Sequence, residues 1–197
     1  MNDKLFISAQ QLLQDSTELA KRILLSDFRP NYMVGVWRGG TPVGIAVQEL
    51  LDYFDIETDH ISIRTSSYTS LGKRADHVRV HGVSYLTRQM NPEDRLLIVD
   101  DVFDTGLSVQ AIIEAIKKRS RANLPHDIRV ATAYFKPARN RTDMVPDYYV
   151  HETDQWLVFP HELDGLSAEE IKTHKPYLAD ALSEIRDAQQ TAADQTA

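Results

Sequence analysis

The sequence has no cysteine. That absence excludes disulfides, thiolate zinc sites and a cysteine nucleophile, and it fits a reducing compartment. Long apolar runs are missing too. None approaches the roughly 18 residues that cross a bilayer, so no stable membrane insertion is expected. Met1-Asn2-Asp3-Lys4 leads into no long apolar stretch, so no signal peptide is expected and the reading is cytoplasmic. Positive charge is in deficit: 22 Lys and Arg stand against 29 Asp and Glu, a net charge of −7. A nucleic-acid-binding body is therefore not expected. There is no internal repeat and no G-x-x-x-x-G-K-[ST] phosphate loop. The 197 residues, 42% hydrophobic and 26% charged, suffice for one globular domain with a sizeable core.

Against that background one stretch stands out. Arg95-Leu96-Leu97-Ile98-Val99 is a short branched apolar run, which reads as a buried parallel strand. Asp100 and Asp101 follow where the strand is expected to end. Asp104, Thr105, Gly106, Leu107 and Ser108 then form a small-residue loop. Apolar residues at Val109, Ile112, Ile113 and Ile116 set a helical period. In open α/β sheets, ligands sit at this kind of strand-to-helix junction.

The residue types suggest the ligand. The amides of residues 104–108 would open a helix unpaired and suit a phosphate at its positive end. Gly106 permits a tight turn, and the hydroxyls of Thr105 and Ser108 add hydrogen bonds. Carboxylates accept from sugar hydroxyls, hold a hard cation or take a proton. A phosphorylated sugar with magnesium is the expectation. Asp-Thr-Gly also occurs in aspartic proteases, but those need two copies in a mostly β context. Receiver domains carry their acid pair near the chain start, not halfway along.

Val99-Asp100-Asp101-Val102-Phe103-Asp104-Thr105-Gly106-Leu107-Ser108 resembles the phosphoribosyl-diphosphate (PRPP) binding motif of type I phosphoribosyltransferases, with Ser108 where threonine is commoner. The resemblance implies an open, mostly parallel sheet with helices on both faces and a small hood built from the C-terminal part. It also implies a single domain over 1–189: a core at about 26–136, a hood at about 137–166 with the N-terminal segment, and C-terminal helices at 167–188. Residues 190–197 are expected to form a disordered tail.

Along the chain, Ser8 to about Leu25 reads as an amphipathic helix, and Tyr32–Trp37 as the first core strand. Arg38-Gly39-Gly40-Thr41-Pro42 reads as a loop, and Val43–Phe54 as a helix. The Arg38 guanidinium and the loop amides suit a diphosphate. The loop is similar to the pyrophosphate-binding loop of the same family, which implies a cis peptide between Trp37 and Arg38. Glu57–Thr65 reads as a strand. Ser66, Ser67 and Tyr68 begin a small polar stretch that the resemblance implies is a lid over PRPP. Arg79–Tyr85 reads as a short strand and Asp127–Phe135 as a buried one. Asp147–His151 and Trp156–Phe159 are further short strands. Ser167 and Glu170 form a capping-box pattern, and Pro176 restarts a helix that runs to about Ala188.

The second half names the acceptor. Lys136-Pro137-Ala138, Pro146-Asp147-Tyr148-Tyr149-Val150 and Trp156-Leu157-Val158-Phe159-Pro160-His161-Glu162 are similar to the 6-oxopurine branch, of the bacterial xanthine-guanine type, from about Val34 to Glu162. Lys136 only donates hydrogen bonds, so it suits an oxygen at purine C6 and not an amino group. Trp156 offers a flat face for stacking. The resemblance gives the Watson–Crick edge to the Leu157 backbone and a water-mediated magnesium contact to Glu162, where the family has an aspartate. His161 replaces a bulky aromatic.

The implied reaction transfers ribose 5-phosphate from PRPP to N9 of hypoxanthine or guanine, with xanthine as a further acceptor. Asp100 and Asp101 hold the ribose hydroxyls and Mg2+, residues 104–108 the 5-phosphate, and Arg38 with Gly39 the leaving pyrophosphate. Asp104 is the general base. A homodimer or homotetramer is implied. The rival readings are the same reaction on another base and a PRPP-sensing regulator of the same fold without catalysis.

Overall fold

The computed structural model describes residues 4–67 and 78–194. The chain divides into two compact units, Ala9–Gln155 and a smaller one made of Met1–Ser8 with Trp156–Ala197.

In the larger unit, five strands run parallel: β2 (Tyr32–Trp37), β3 (Asp59–Ser67), β5 (Arg95–Phe103), β6 (Asp127–Phe135) and β7 (Tyr148–Glu152). With β4 (Val78–His81) the sheet order is β4-β3-β2-β5-β6-β7, and β4 is antiparallel to β3. The period-two alternation of a strand assigns its residues to opposite faces. Val34, Val36, Leu96, Ile98 and Val130 share one core cluster with Val109, Ile112 and Ile116 of helix α4 (Leu107–Ser120). Intervening residues such as Met33, Leu97 and Val99 are equally buried; that face meets α1 (Ala9–Leu24) and α2 (Gly40–Tyr53). The sheet therefore has helices on both faces, as expected. Burying such branched side chains stabilises by about 1.5–3 kcal/mol each.

Asp15, buried on α1, fastens that helix to the sheet. Tyr134 Oη donates to its Oδ2 (2.9 Å), and Oδ1 lies 2.8 Å from His151 Nε2 and accepts from Gln11 Nε2 at 2.8 Å. Burial and the Asp15 charge push the Tyr134 phenol well above its ordinary value.

Several elements differ from the expectations. Strand β5 continues through Asp100 and Asp101 to Phe103, because the ladder with β6 persists to Val102↔Tyr134 and Phe103↔Phe135. Ser66 and Ser67, expected in the lid loop, belong to β3, where they pair with Arg79 and Val78; Tyr68 lies outside the described residues. The segment read as a strand over Arg79–Tyr85 forms β4, ending at His81, and a turn into the short helix α3 (Leu86–Gln89). Helix α2 starts at Gly40, three residues early.

In the smaller unit, β1 (Lys4–Phe6) pairs in parallel with β8 (Trp156–Val158). Helix α5 (Ala168–His174) opens with the expected capping box, Ser167 with Glu170, and α6 runs from Pro176 to Asp194. The tail expected to be disordered from residue 190 is helical through Asp194, since its alanines and glutamines are good helix formers. Among the described residues, no helix is long and apolar enough to cross a membrane.

Lys4 Nζ, 2.7 Å from Glu170 Oε1, and the Ser167 amide hold the Glu170 carboxyl at about 2. A carboxyl depressed below its ordinary 4.5 stabilises the fold above that value and loses the contribution as pH falls through its folded pKa. An NMR titration of the Glu170 side chain is expected to give a midpoint near 2, returning toward the ordinary value in Lys4→Met.

Candidate active site

Two strand-to-helix junctions that lie far apart in sequence come together at the carboxyl ends of the neighbouring strands β2 and β5. The peptide between Trp37 and Arg38 is cis, as the resemblance implies, and Gly39 and Gly40 follow at the start of α2. A Cβ built on Gly39 would fall 1.9 Å from Asp101 Oδ2. One on Gly40 would fall 2.5 Å from the Val99 carbonyl oxygen and 2.9 Å from Asp100 Oδ1. Only hydrogen fits at either position.

Asp100 and Asp101 are both buried. The Asp101 amide donates to Asp100 Oδ1 (2.9 Å) and the Val102 amide to Asp101 Oδ1 (2.8 Å). Burial first, then the charge of Asp101, drives the Asp100 carboxyl well above the usual range, opposed by the Gly40 amide. Two adjacent buried carboxyls each make the other's charge more costly. Among the described residues, no group of three or more metal-capable side chains occurs.

The loop after β5 is shaped by Gly106, which caps α4 in the left-handed region (φ 76°) with no side-chain cap on the helix. The helix N-terminus thus presents amides and the positive end of its dipole. Leu107 N–H reaches the Thr105 hydroxyl only at 3.5 Å. Underneath, Phe103 packs edge-on against Phe135.

The end of β6 is bonded to this loop. The Lys136 amide donates to the Phe103 carbonyl (3.0 Å) and the Arg141 amide to the Thr105 carbonyl (3.0 Å). Lys136 is buried. The larger unit thus brings together Arg38, Gly39, Asp100, Asp101, residues 104–108 and the start of the Lys136 turn. Sequence reasoning gave Gly40, which the packing shows to be as constrained as Gly39, no role beyond a loop amide. Nor did it assign one to Arg139, whose Nε lies 2.6 Å from Asp104 Oδ1. The only signal was their adjacency to Gly39 and Lys136.

In the smaller unit, Trp156 is 53% exposed, so it is not a core tryptophan. Leu157 is buried and pairs with Leu5. Glu162 Oε2 accepts from the Phe159 amide at 3.1 Å, and His161 stacks on Phe159. Lys175 Nζ donates to the carbonyls of Phe159 (2.7 Å), Pro160 (3.0 Å) and Glu162, fixing this turn from beneath. Burial lowers the Lys175 ammonium below its ordinary value.

Comparison with known proteins adds to this geometry. A family model described as phosphoribosyl transferase domain matches residues 7–165. The chain is 30% identical over 162 residues to a xanthine-guanine phosphoribosyltransferase of Desulfotalea psychrophila, covering 81% of this chain and 86% of that one. It is 25% identical over 183 residues to a hypoxanthine-guanine phosphoribosyltransferase of Lactococcus lactis, covering 89% of each. Among solved structures, a purine phosphoribosyltransferase from Pyrococcus horikoshii superposes with a TM-score of 0.63 at 29% identity, over 83% of this chain and 97% of that chain.

Gly106→Ala tests the loop. Its Cβ would meet Thr142 Oγ1 at 2.6 Å and the Phe103 ring at 2.8 Å, at a backbone φ that L-residues rarely adopt. A loss of about 1–3 kcal/mol is expected in urea unfolding.

Proposed function

The chain belongs to the phosphoribosyltransferase family, among the pentosyltransferase enzymes of the 6-oxopurine branch, and on that premise we propose that it transfers ribose 5-phosphate from PRPP to N9 of hypoxanthine or guanine, with xanthine as a further acceptor. The observation that carries the proposal is the uncapped N-terminus of α4 at a left-handed Gly106, beside two buried carboxylates packed on Gly39 and Gly40.

Each group then has a role. The amides and hydroxyls of Thr105, Gly106, Leu107 and Ser108 bind the 5-phosphate. Asp100 and Asp101 accept from the ribose hydroxyls and hold Mg2+, which would supply charge neutralisation on the leaving diphosphate. The second-strand loop, with Arg38 and Gly39, takes that diphosphate. Lys136 donates to the purine oxygen at C6, and adenine presents an amino group there, which cannot accept from an ammonium. The Trp156 face and the Leu157 backbone are assigned to the base by family resemblance. Glu162 is assigned to the metal on the same ground, although its Oε2 already takes the Phe159 amide.

In the reaction, the N9 lone pair forms the bond to C1′ as the C1′–O bond breaks, its electron pair leaving on the diphosphate. The N7 proton passes to Asp104. Charge develops on both the sugar ring and the leaving group, so groups fixed in advance supply most of the rate. Ser66, Ser67 and Tyr68 are proposed to lead into a cover over PRPP that keeps water from the sugar. Assembly as a homodimer or homotetramer, in the cytoplasm, completes the proposal.

Pyrophosphate release with PRPP and magnesium, measured against a panel of bases, tests it. Turnover is expected with hypoxanthine, guanine or xanthine and not with adenine or uracil. Asp104→Asn is expected to lower kcat by about 10²-fold or more. PRPP binding without release on any base would instead identify a sensor.

A further inference from the structure

Proton transfer to Asp104, on the reading above, needs its carboxylate held in one orientation, and the structure contains a holder which that reading does not use. Arg139 ends the 3-10 turn Pro137–Arg139, and its amide donates back to the Lys136 carbonyl at 3.2 Å. Its Nε stands 2.6 Å from Asp104 Oδ1. That oxygen is buried and accepts no aligned hydrogen bond among the described residues; the charge beside it is the guanidinium. The Asp104 side chain nevertheless remains 34% exposed, so its exposure belongs to atoms other than Oδ1. Oδ1 is the oxygen that the Arg139 guanidinium approaches.

The backbone frames this contact from both sides. Lys136 N–H bonds to the carbonyl of Phe103, the residue before Asp104. Arg141 N–H bonds to the carbonyl of Thr105, the residue after it. The turn that carries Arg139 is thus fixed to the two neighbours of the carboxylate it pairs with. Lys136, the assigned base reader, immediately precedes the same turn as its N-cap.

We propose that Arg139 is a positioning residue: it fixes Asp104 Oδ1 so that Oδ2 meets the N7 proton, and it ties that orientation to the turn on which Lys136 reads C6. An ion pair on a rigid frame restricts the carboxylate rotamer, and small displacements of a reacting group cost about 10²-fold in rate.

The test is a cycle of Arg139→Gln and Asp104→Asn, with Arg139→Lys as the conservative variant and hypoxanthine or guanine as acceptor. Arg139 is half exposed, so its replacement leaves the fold intact; matching circular dichroism and melting temperature check this. Arg139→Gln is expected to lower kcat about tenfold to a hundredfold while the KM for PRPP stays within about twofold, and Arg139→Lys to recover part of the loss. In the Asp104→Asn background, Arg139→Gln is expected to cost nothing further. An unchanged kcat in Arg139→Gln overturns the proposal, as does an equal loss in both backgrounds, which would mean that the guanidinium acts on the phosphate instead. Failure of the wild type to release pyrophosphate with any 6-oxopurine marks failure of the underlying reading. Wild-type turnover with an additive cycle rejects Arg139 alone.

Discussion

The close approach of Gly39 and Gly40 to Asp100 and Asp101 is the constraint on which the site depends. Parallel pairing of β2 with β5 sets the register, but side chains at the two glycines would overlap the acids. With hydrogen there, α2 starts directly against the end of β5, and the Gly40 amide reaches the Asp100 carboxyl. One geometric condition therefore buries the acid pair, places helix amides beside it and brings two distant loops into one site. The same burial makes the acids costly when uncompensated, because desolvation and mutual repulsion both act against their charge.

A second layer of support lies in the backbone. Strand β6 ends on the same level as β5, and Lys136 and Arg141 continue the pairing past the end of the regular ladder by donating to Phe103 and Thr105. Below, Phe103 and Phe135 pack edge to face with ring centroids 5.7 Å apart, beneath the loop that bends through Gly106. The loop is thus shaped by residues on three segments, which is why small residues can form it without capping side chains.

Much of this was legible in the sequence. Tyr32–Trp37 and Asp127–Phe135 were read to the residue because dense branched apolar runs bounded by polar residues have few alternatives. The acidic loop was legible as a strand-to-helix junction because Gly106 and the helical period from Val109 mark where α4 begins. What escaped depends on partners distant in sequence. Three residues, Lys4–Phe6, carry no period, and only pairing with β8 makes them a strand. Ser66 and Ser67 look like loop by composition, yet the ladder with Val78 and Arg79 extends the strand through them. Asp100 and Asp101 look like a strand end, because buried acids are rare, yet the ladder carries on beneath them. Arg139 was one more charge in a polar turn; its pairing with Asp104 follows from the spatial order of β5 and β6, which no local pattern encodes.

The charge balance adds a final constraint on how a phosphorylated ligand is held. A chain of net charge −7 repels a polyanion at long range, so steering by the overall field does not account for capture. Attraction has to arise at short range, from groups on the loops themselves. Arg38 adjoins the cis peptide, Lys136 and Arg139 lie on the turn bonded to the acidic loop, and the N-terminus of α4 contributes its dipole within a single turn of helix. Of these cations, Arg139 already faces a carboxylate and is partly neutralised. On the proposed reaction, the phosphate would then be left mainly to backbone amides, whose direction is set by Gly106 and whose strength does not depend on the protein's net charge. On that proposal selectivity lies in geometry, with the acids beside the cradle assigned to the sugar and its counter-ion.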